Sequence, residues 1–342
     1  MASGSPNIYG PKQNFWQRHY RPLIYLLTLV CVVGGTLTRL PLSLSVSDAT
    51  QGVFDTLEKL PELRAKDIEK QQALLAEKLE EAKSNNGPDL QKEIAAIKDK
   101  IARLQINPKG VVLVCIDFDP STEAELGPMA HAFIRHCFSR GVKVLINTGG
   151  NVMSQPLAQN IISASATEGS LMKKNKYGFM EDGVDYVFFG FRPNAFQLYL
   201  QMGENILTAY ETDYAGHDLT LLPIMRGIRN FGDIDMVFSI SGYVGSPETW
   251  ITVGNTKFGK PVALGQVAIS ASDYYPYIQS KQICGMLPGL RGAAEYEGAC
   301  GSPPRATGRM WAQLYTHTFA ILLIIIGNLE FFFKGLKHRK VS

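Results

Sequence analysis

Crossing the hydrocarbon core of a bilayer takes about 20 mostly apolar helical residues. This chain has two such segments, one at each end, with soluble-looking sequence between them. The first runs from Leu23 to about Thr38 and extends through Leu44, Arg39 reaching back to the interface. The second runs from Leu314 to about Phe333, with no charge before Glu330. Basic residues flank both on the outer side. Lys12, Arg18 and Arg21 precede the first, and Lys334, Lys337, Arg339 and Lys340 follow the second. The positive-inside rule then puts both termini in the cytoplasm and the middle of the chain outside it. Trp311 and Tyr315 on one side, and Phe331 to Phe333 on the other, suit the two interfacial belts. A cleaved signal peptide is the alternative for the first segment, although no A-x-A site follows it. A buried core helix is the alternative for either. Glu330 and Asn328 fall at the expected cytoplasmic edge, where solvation or helix capping accounts for them.

The 342 residues, less both spans and tails, leave enough for one α/β core. The net charge of +3 comes largely from the basic ends, so no nucleic-acid partner is expected. Of five cysteines, Cys31 is intramembrane, while Cys115 and Cys137 fall on a strand and helix expected to be buried. Cys284 and Cys300 bracket a Gly-rich segment and are a disulfide candidate in an oxidising compartment. No metal-binding spacing appears. His131 and His136, five apart, do not share a helix face. No metal site or cofactor is expected.

The segments read in order as a cytoplasmic tail (1–22), a first span (23–44), an amphipathic connector (45–61) and a helical hairpin (62–107). An extracytoplasmic α/β domain (108–304), a juxtamembrane segment with the second span (305–334) and a basic tail (335–342) follow. In the hairpin, charged Leu63–Lys83 is broken by Ser84-Asn-Asn-Gly-Pro88 and succeeded by Asp89–Leu104. The second helix places Leu90, Ile94, Ile97, Ile101 and Leu104 on one stripe, with a weaker match through Ile68, Leu75, Leu79 and Ala82. Such a coiled-coil-like hairpin projects about 25–30 Å. It either contacts a partner or lies on its own domain.

From Gly110 the pattern changes. Strands are expected at Val111–Asp117, Val142–Asn147, Val184–Phe191, Ile234–Ser241 and Val262–Ile269. Helices alternate with them at Thr122–Ser139, Pro156–Lys173, Ala195–Asn205 and Pro247–Phe258. All-apolar strands alternating with helices imply a mostly parallel, doubly wound, Rossmann-like sheet of about five strands. Residues 273–300 read as helices returning the chain to the membrane, with Gly301-Ser-Pro-Pro304 as the hinge.

Ligands of open parallel sheets bind beyond the carboxyl ends of the strands. Those ends carry Asp117-Phe-Asp119, Asn147-Thr-Gly-Gly-Asn151, Phe191-Arg-Pro-Asn194 and Ser239-Ile-Ser-Gly242. A strand ending in Asp-x-Asp resembles the first motif of haloacid-dehalogenase-type phosphatases, in which one carboxylate attacks phosphorus and Mg²⁺ neutralises charge. That reading would make Asp117 and Asp119 catalytic, with Thr148 as the phosphate-binding residue. The family's lysine and later acidic pair are missing, since Asp233 and Asp235 sit at the start of their strand. Helix capping is the competing role for Asp119. Asn147, Gly149 and Gly150, with Arg192, form the candidate ligand site: Asn147-Thr-Gly-Gly-Asn either cradles an anion or makes an ordinary turn. A serine hydrolase is not supported, because Ser239 and Ser241 lie outside any G-x-S-x-G. Gly289, Arg291, Gly292 and Glu295 lie in a small-residue segment that reads as a packing or subunit contact.

Several stretches carry a resemblance: Phe54-Asp-Thr-Leu-Glu-Lys-Leu-Pro61, Asp119-Pro-Ser-Thr-Glu-Ala-Glu125, Gly183-Val-Asp-Tyr-Val-Phe-Phe-Gly190, Pro223-Ile-Met-Arg-Gly-Ile-Arg229 and Gly289-Leu-Arg-Gly-Ala-Ala-Glu-Tyr-Glu297. Through them the chain resembles a family of bacterial two-span membrane proteins with an extracytoplasmic α/β domain and no assigned activity. The resemblance implies the architecture and a bacterial inner-membrane location, and it makes the hairpin an insertion. It supplies no catalytic residue.

The leading expectation is a non-enzymatic scaffold subunit of a membrane complex: a homo-oligomer that also engages a second membrane or periplasmic protein. The hairpin stripe and the small-residue segment would make the contacts. A Mg²⁺-dependent phosphatase and a small-ligand sensor are the alternatives.

Overall fold

The computed structural model describes residues 15–38, 44–84, 87–169 and 180–339. Lys12, Arg39, the helix breaker at Asn85 and Asn86, the end of the helix expected to reach Lys173, and Lys340 lie outside them. The chain divides into two units, one formed by residues 1–41 with 308–342 and the other by residues 42–307.

In the first unit, α1 (Phe15–Leu37) carries one apolar window, Tyr20–Leu37. The long helix that starts at Arg305 carries another, through Leu329. Both are long and apolar enough to cross a membrane and are almost wholly exposed. The helices meet at small residues. A Cβ added at Gly35 would lie 2.2 Å from the Cα of Ala312, so only glycine permits this approach. One turn on, Thr38 Oγ1 donates to the Tyr315 hydroxyl at 3.3 Å.

The second unit starts with α2 (Asp48–Glu58), followed by α3 (Leu60–Ser84) and α4 (Pro88–Ile106), which form the hairpin. Pro61 does not terminate a helix; it sits in the first turn of α3, where a missing N–H costs nothing. Then come β1 (Val111–Asp117), α5 (Glu123–Arg140), β2 (Lys143–Thr148), α6 (Ser154–Gly169), β3 (Tyr186–Phe191), α7 (Ala195–Glu204), the short α8 (Ile206–Ala209) and β4 (Met236–Ser241). The expected helix at Pro247–Phe258 is α9 (Ser246–Trp250) continued by a π-helical stretch, Ile251–Lys257. Next are β5 (Val262–Gln266), α10 (Tyr275–Gln279), β6 (Gly285–Pro288) and α11 (Gly289–Cys300), followed by α12 (Arg305–Arg339), which belongs to the first unit from residue 308 onward.

The fold class is the expected one: α/β with an all-parallel sheet. It has six strands in the order β3-β2-β1-β4-β5-β6. The sixth lies in a segment expected to be helical, because its four residues are too few to declare a period. β1 is buried at all seven positions, as a central strand covered on both faces must be. One face carries Val111, Leu113, Val237 and Leu264 against Leu198, Tyr199, Met202 and Trp250. On the other, Phe133 of α5 packs on Phe238 of β4 at 4.1 Å between ring centroids.

The expected disulfide is corrected, and two expected contact surfaces prove to be used within the chain. The α4 stripe turns inward: Ile94 and Leu104 are buried and Leu90, Ile97 and Ile101 half-buried, because α3 packs along it. The seam is pinned by Lys78–Glu93 at 3.0 Å and Lys100–Asp67 at 3.9 Å. Leu79 points outward instead. The small-residue segment is likewise spent internally. A Cβ at Gly289 would meet Ala268 at 2.7 Å, one at Gly292 would meet Pro288 at 2.4 Å, and Glu295 is buried. Glu295 accepts from the Ser47 amide at 3.0 Å and from Arg291 Nε at 2.9 Å, which leaves only the Arg291 side chain facing out. Cys284 and Cys300 are separate thiols rather than a disulfide. Cys284 precedes β6 beneath α2 and Cys300 closes α11; burial raises both thiol pKa values, that of Cys284 to about 11.

Candidate functional site

The strand order reverses direction between β1 and β4, and there the loops leaving neighbouring strands part to opposite sides of the sheet. A cleft of about 430 Å³ opens at that point. Asp117 at the end of β1 forms part of its wall, with Gly150 and Asn151 beyond β2, and Ala195 and Tyr199 of α7. Tyr243, Val244 and Gly245 beyond β4, then Ser246 and Thr249 of α9, complete it.

Asp117 is 2% exposed. Its Oδ2 accepts the Gly150 amide at 3.1 Å, while Oδ1 has no hydrogen-bond partner. Burial raises the carboxyl above the usual carboxylate range, and the Gly150 amide opposes the rise without cancelling it. Gly149 allows this geometry. A Cβ there would lie 2.5 Å from the Tyr199 hydroxyl and 2.9 Å from Asp117 Oδ2, so a larger residue would push the tyrosine and the carboxylate away from the loop. Gly150 differs: its Cβ would meet nothing nearer than Asp117 Oδ2 at 3.7 Å, an ordinary contact.

Beneath the cleft the sheet face turns polar. Cys115 lies between Asn147 of β2 and Ser239 of β4, all three fully buried. Cys115 Sγ lies 3.3 Å from the Tyr199 hydroxyl, and burial, aided by the nearby Asp117 charge, raises its thiol pKa to about 12, so it is no thiolate nucleophile. Both polar atoms of the Asn147 side chain and the Ser239 hydroxyl have no hydrogen-bond partner. Tyr199 stacks on Trp250 at 3.8 Å and closes the chamber from the helix side.

Asp119 lies on the rim, not in the wall. Its Oδ1 accepts from the Ser121 amide at 2.8 Å, closing the turn before α5 rather than capping the helix itself. Its Oδ2 accepts from the Tyr243 hydroxyl at 2.9 Å, and that hydroxyl is also bonded by Asn151 Nδ2. The loops after β1, β2 and β4 are thus tied by an Asp119–Tyr243–Asn151 chain. These hydrogen bonds, those from Ser121 foremost, lower the Asp119 pKa.

The structure separates the residues expected to act together. Strand alternation sends Thr148, adjacent to Asn147, to the opposite face of the sheet from Asp117, so the three expected phosphatase residues do not converge. Asp233 and Asp235 sit at the far end of β4 and serve the hairpin. Asp235 accepts from Arg64 of α3 and from the Val111 amide at 2.7 Å, and Asp233 accepts from Arg103 at 3.1 Å. Arg192 lies over the Tyr210 ring at 5.4 Å and donates to the Phe191 carbonyl, outside the cleft wall. Of the expected ligand residues, Gly150 lines the cleft, Gly149 shapes it and Asn147 lies below its floor.

Sequence reasoning missed Tyr199, Tyr243 and Ser246. Tyr199 reads as an ordinary apolar helix position, and only the Ser-Gly-Tyr after β4 offered a signal for the other two. Among the described residues no cluster of three or more His, Cys, Asp or Glu is placed to hold a metal ion. No protein-family model, curated protein or solved structure matches this chain.

Proposed function

We propose that this chain is a membrane-anchored binding module whose α/β domain takes a small molecule in the cleft between β1 and β4. The observation that carries the reading is a buried carboxylate with one orphaned oxygen in the wall of a roomy cleft at the strand-order reversal. A buried acceptor left unsatisfied costs about 1–3 kcal/mol, a penalty that a bound donor removes. The volume lies within the roughly 300–1,000 Å³ range of small-molecule sites.

Two of the features behind the scaffold reading, the hairpin stripe and the segment around Gly289, pack largely within the chain, which favours binding over partner contact. The phosphatase reading assigned Asp117 and Asp119 as catalytic with Thr148 as the phosphate-binding residue, and Thr148 on the opposite face and Asp119 on the rim weigh against it. Binding is therefore the function this geometry supports best. The flanking basic residues support both termini in the cytoplasm and a domain outside it, with the helix pair as the anchor, and the resemblance supports a bacterial inner membrane.

The test is a thermal-shift screen of the full-length protein in mild detergent against a small-metabolite library, beside Gly150→Leu, which fills the cleft without a backbone clash. A ligand at 100 times its dissociation constant stabilises by about 2.7 kcal/mol. A shift present in the wild type and absent in the variant supports the reading; shifts equal in both proteins refute it.

A further inference from the structure

The chemistry of the cleft narrows its ligand, given that the cleft binds one. None of its lining residues is a lysine or arginine, and Arg192, the cation at the nearby β3 end, is turned onto Tyr210. Phosphates and carboxylates are held by fixed donors and positive charge. Here they would face the Asp117 carboxyl with no counter-charge. Anionic ligands are therefore disfavoured, including the anion that the Gly149-Gly150 turn suggests by sequence.

The orphaned groups are of mixed kind. Of the groups lining the cleft, Asp117 Oδ1 lacks a donor and the Ser246 hydroxyl lacks either kind of partner; Asn147 and Ser239, also orphaned, lie below the floor and outside the lining. An ammonium group brings only donors. A ligand hydroxyl brings a donor and an acceptor on one atom and matches such a set. The rest of the wall carries aromatic and apolar groups, Tyr243 and Val244 on one side and Ala195 and Tyr199 on another, together with Asn151 and Thr249, whose side chains are already bonded to the Tyr243 hydroxyl and the Gly245 carbonyl. A sugar ring, whose edge bears hydroxyls and whose face bears C–H groups, has both surfaces.

We propose that the cleft binds an uncharged polyhydroxylated molecule of one or two sugar rings, its hydroxyls on Asp117 and Ser246 and its C–H face on Tyr243. The claim deepens the binding-module reading and rests on it.

The experiment is calorimetric titration of the full-length protein in detergent with glucose, ribose and myo-inositol. Glucose 6-phosphate, inorganic phosphate and putrescine serve as the charged counterparts. The expected result is binding of at least one neutral polyol, at least tenfold weaker in Asp117→Asn and lost in Gly150→Leu. Glucose 6-phosphate should bind at least tenfold more weakly than glucose. Tighter binding of a phosphate or of putrescine, or a cleft-dependent library ligand without hydroxyls, overturns the polyol class and leaves the binding module standing. No Gly150→Leu-sensitive ligand in either the titrations or the library overturns both. Circular dichroism and melting curves of each variant separate lost binding from lost folding.

Discussion

The two ends of the same parallel sheet satisfy their buried polar groups to different extents. At the amino end, Arg64 and Asp235 are 1% and 9% exposed and paired with each other. Arg64 Nε also donates to the Leu104 carbonyl at 2.9 Å, and Asp233 takes two backbone amides as well as Arg103. These bonds fasten the base of the hairpin to β1 and β4. At the carboxyl end, Asp117, Asn147, Ser239 and Ser246 keep atoms with no partner. Among these amino-end groups Arg64 Nη2 alone is left without a partner, and this nearly closed set holds the chain to itself. An open set is left for something that is not part of the chain, and the contrast between the ends is the strongest physical reason to place function at the second.

The largest expected effect tests the closed end. Arg64→Ala leaves Asp235 buried without its cation and should cost about 3–5 kcal/mol in chemical denaturation. Burial already raises the Asp235 carboxyl despite Arg64, so the double variant Arg64→Met/Asp235→Asn should recover much of that loss. If Arg64→Ala proves nearly neutral, the amino end is no more closed than the other and the comparison breaks.

A second closed set lies on α11. Glu297 accepts the Ala306 amide at 2.7 Å and the Thr307 amide at 3.2 Å, capping the start of α12. Glu297→Ala should cost about 1–2 kcal/mol, read as a lower melting temperature of the full-length protein. An unchanged melting temperature would mean that the start of α12 needs no carboxylate.

Asp117→Asn should act the other way. The folded pKa of Asp117 is raised from 3.8, so its ionisation opposes folding: the cost is absent below 3.8 and grows as pH rises through the folded value. The isosteric amide should therefore stabilise the ligand-free protein by about 1 kcal/mol at neutral pH and by nothing near pH 3. Melting curves across pH 3–8 check the sign; destabilisation at pH 7 would show that the orphaned oxygen is satisfied after all.

The smallest effect is expected at the hairpin tip. Joining Leu75 to Ile94 through a short Gly-Ser turn removes mostly exposed surface and the Lys78–Glu93 ion pair, keeps the buried Ile94 and the Arg64 anchor, and should change stability by no more than about 0.5 kcal/mol. A larger loss would show the tip supporting the domain.

The two apolar windows, the alternating strands and helices, and the stripe on α4 were legible in the sequence. Each rests on a local pattern, composition over about 20 residues or a period of 2 or 3.6, that needs no knowledge of the rest of the chain. The same local logic pointed to the strand ends as the place for a site, and Asp117 and Gly150 do line it. Tertiary structure alone decided which surfaces remain available. The α4 stripe and the Gly289 segment look like partner contacts until α3 and β6 cover them. Thr148 and Asp117 look like a pair until strand alternation parts them. The four-residue β6 exists only because β5 offers it an edge, and the strand order that opens the cleft beside Asp117 is set by which strands pair. Burial, pairing and strand order are relations between distant residues; the sequence supplies the groups, and the fold determines which of them are left without a partner.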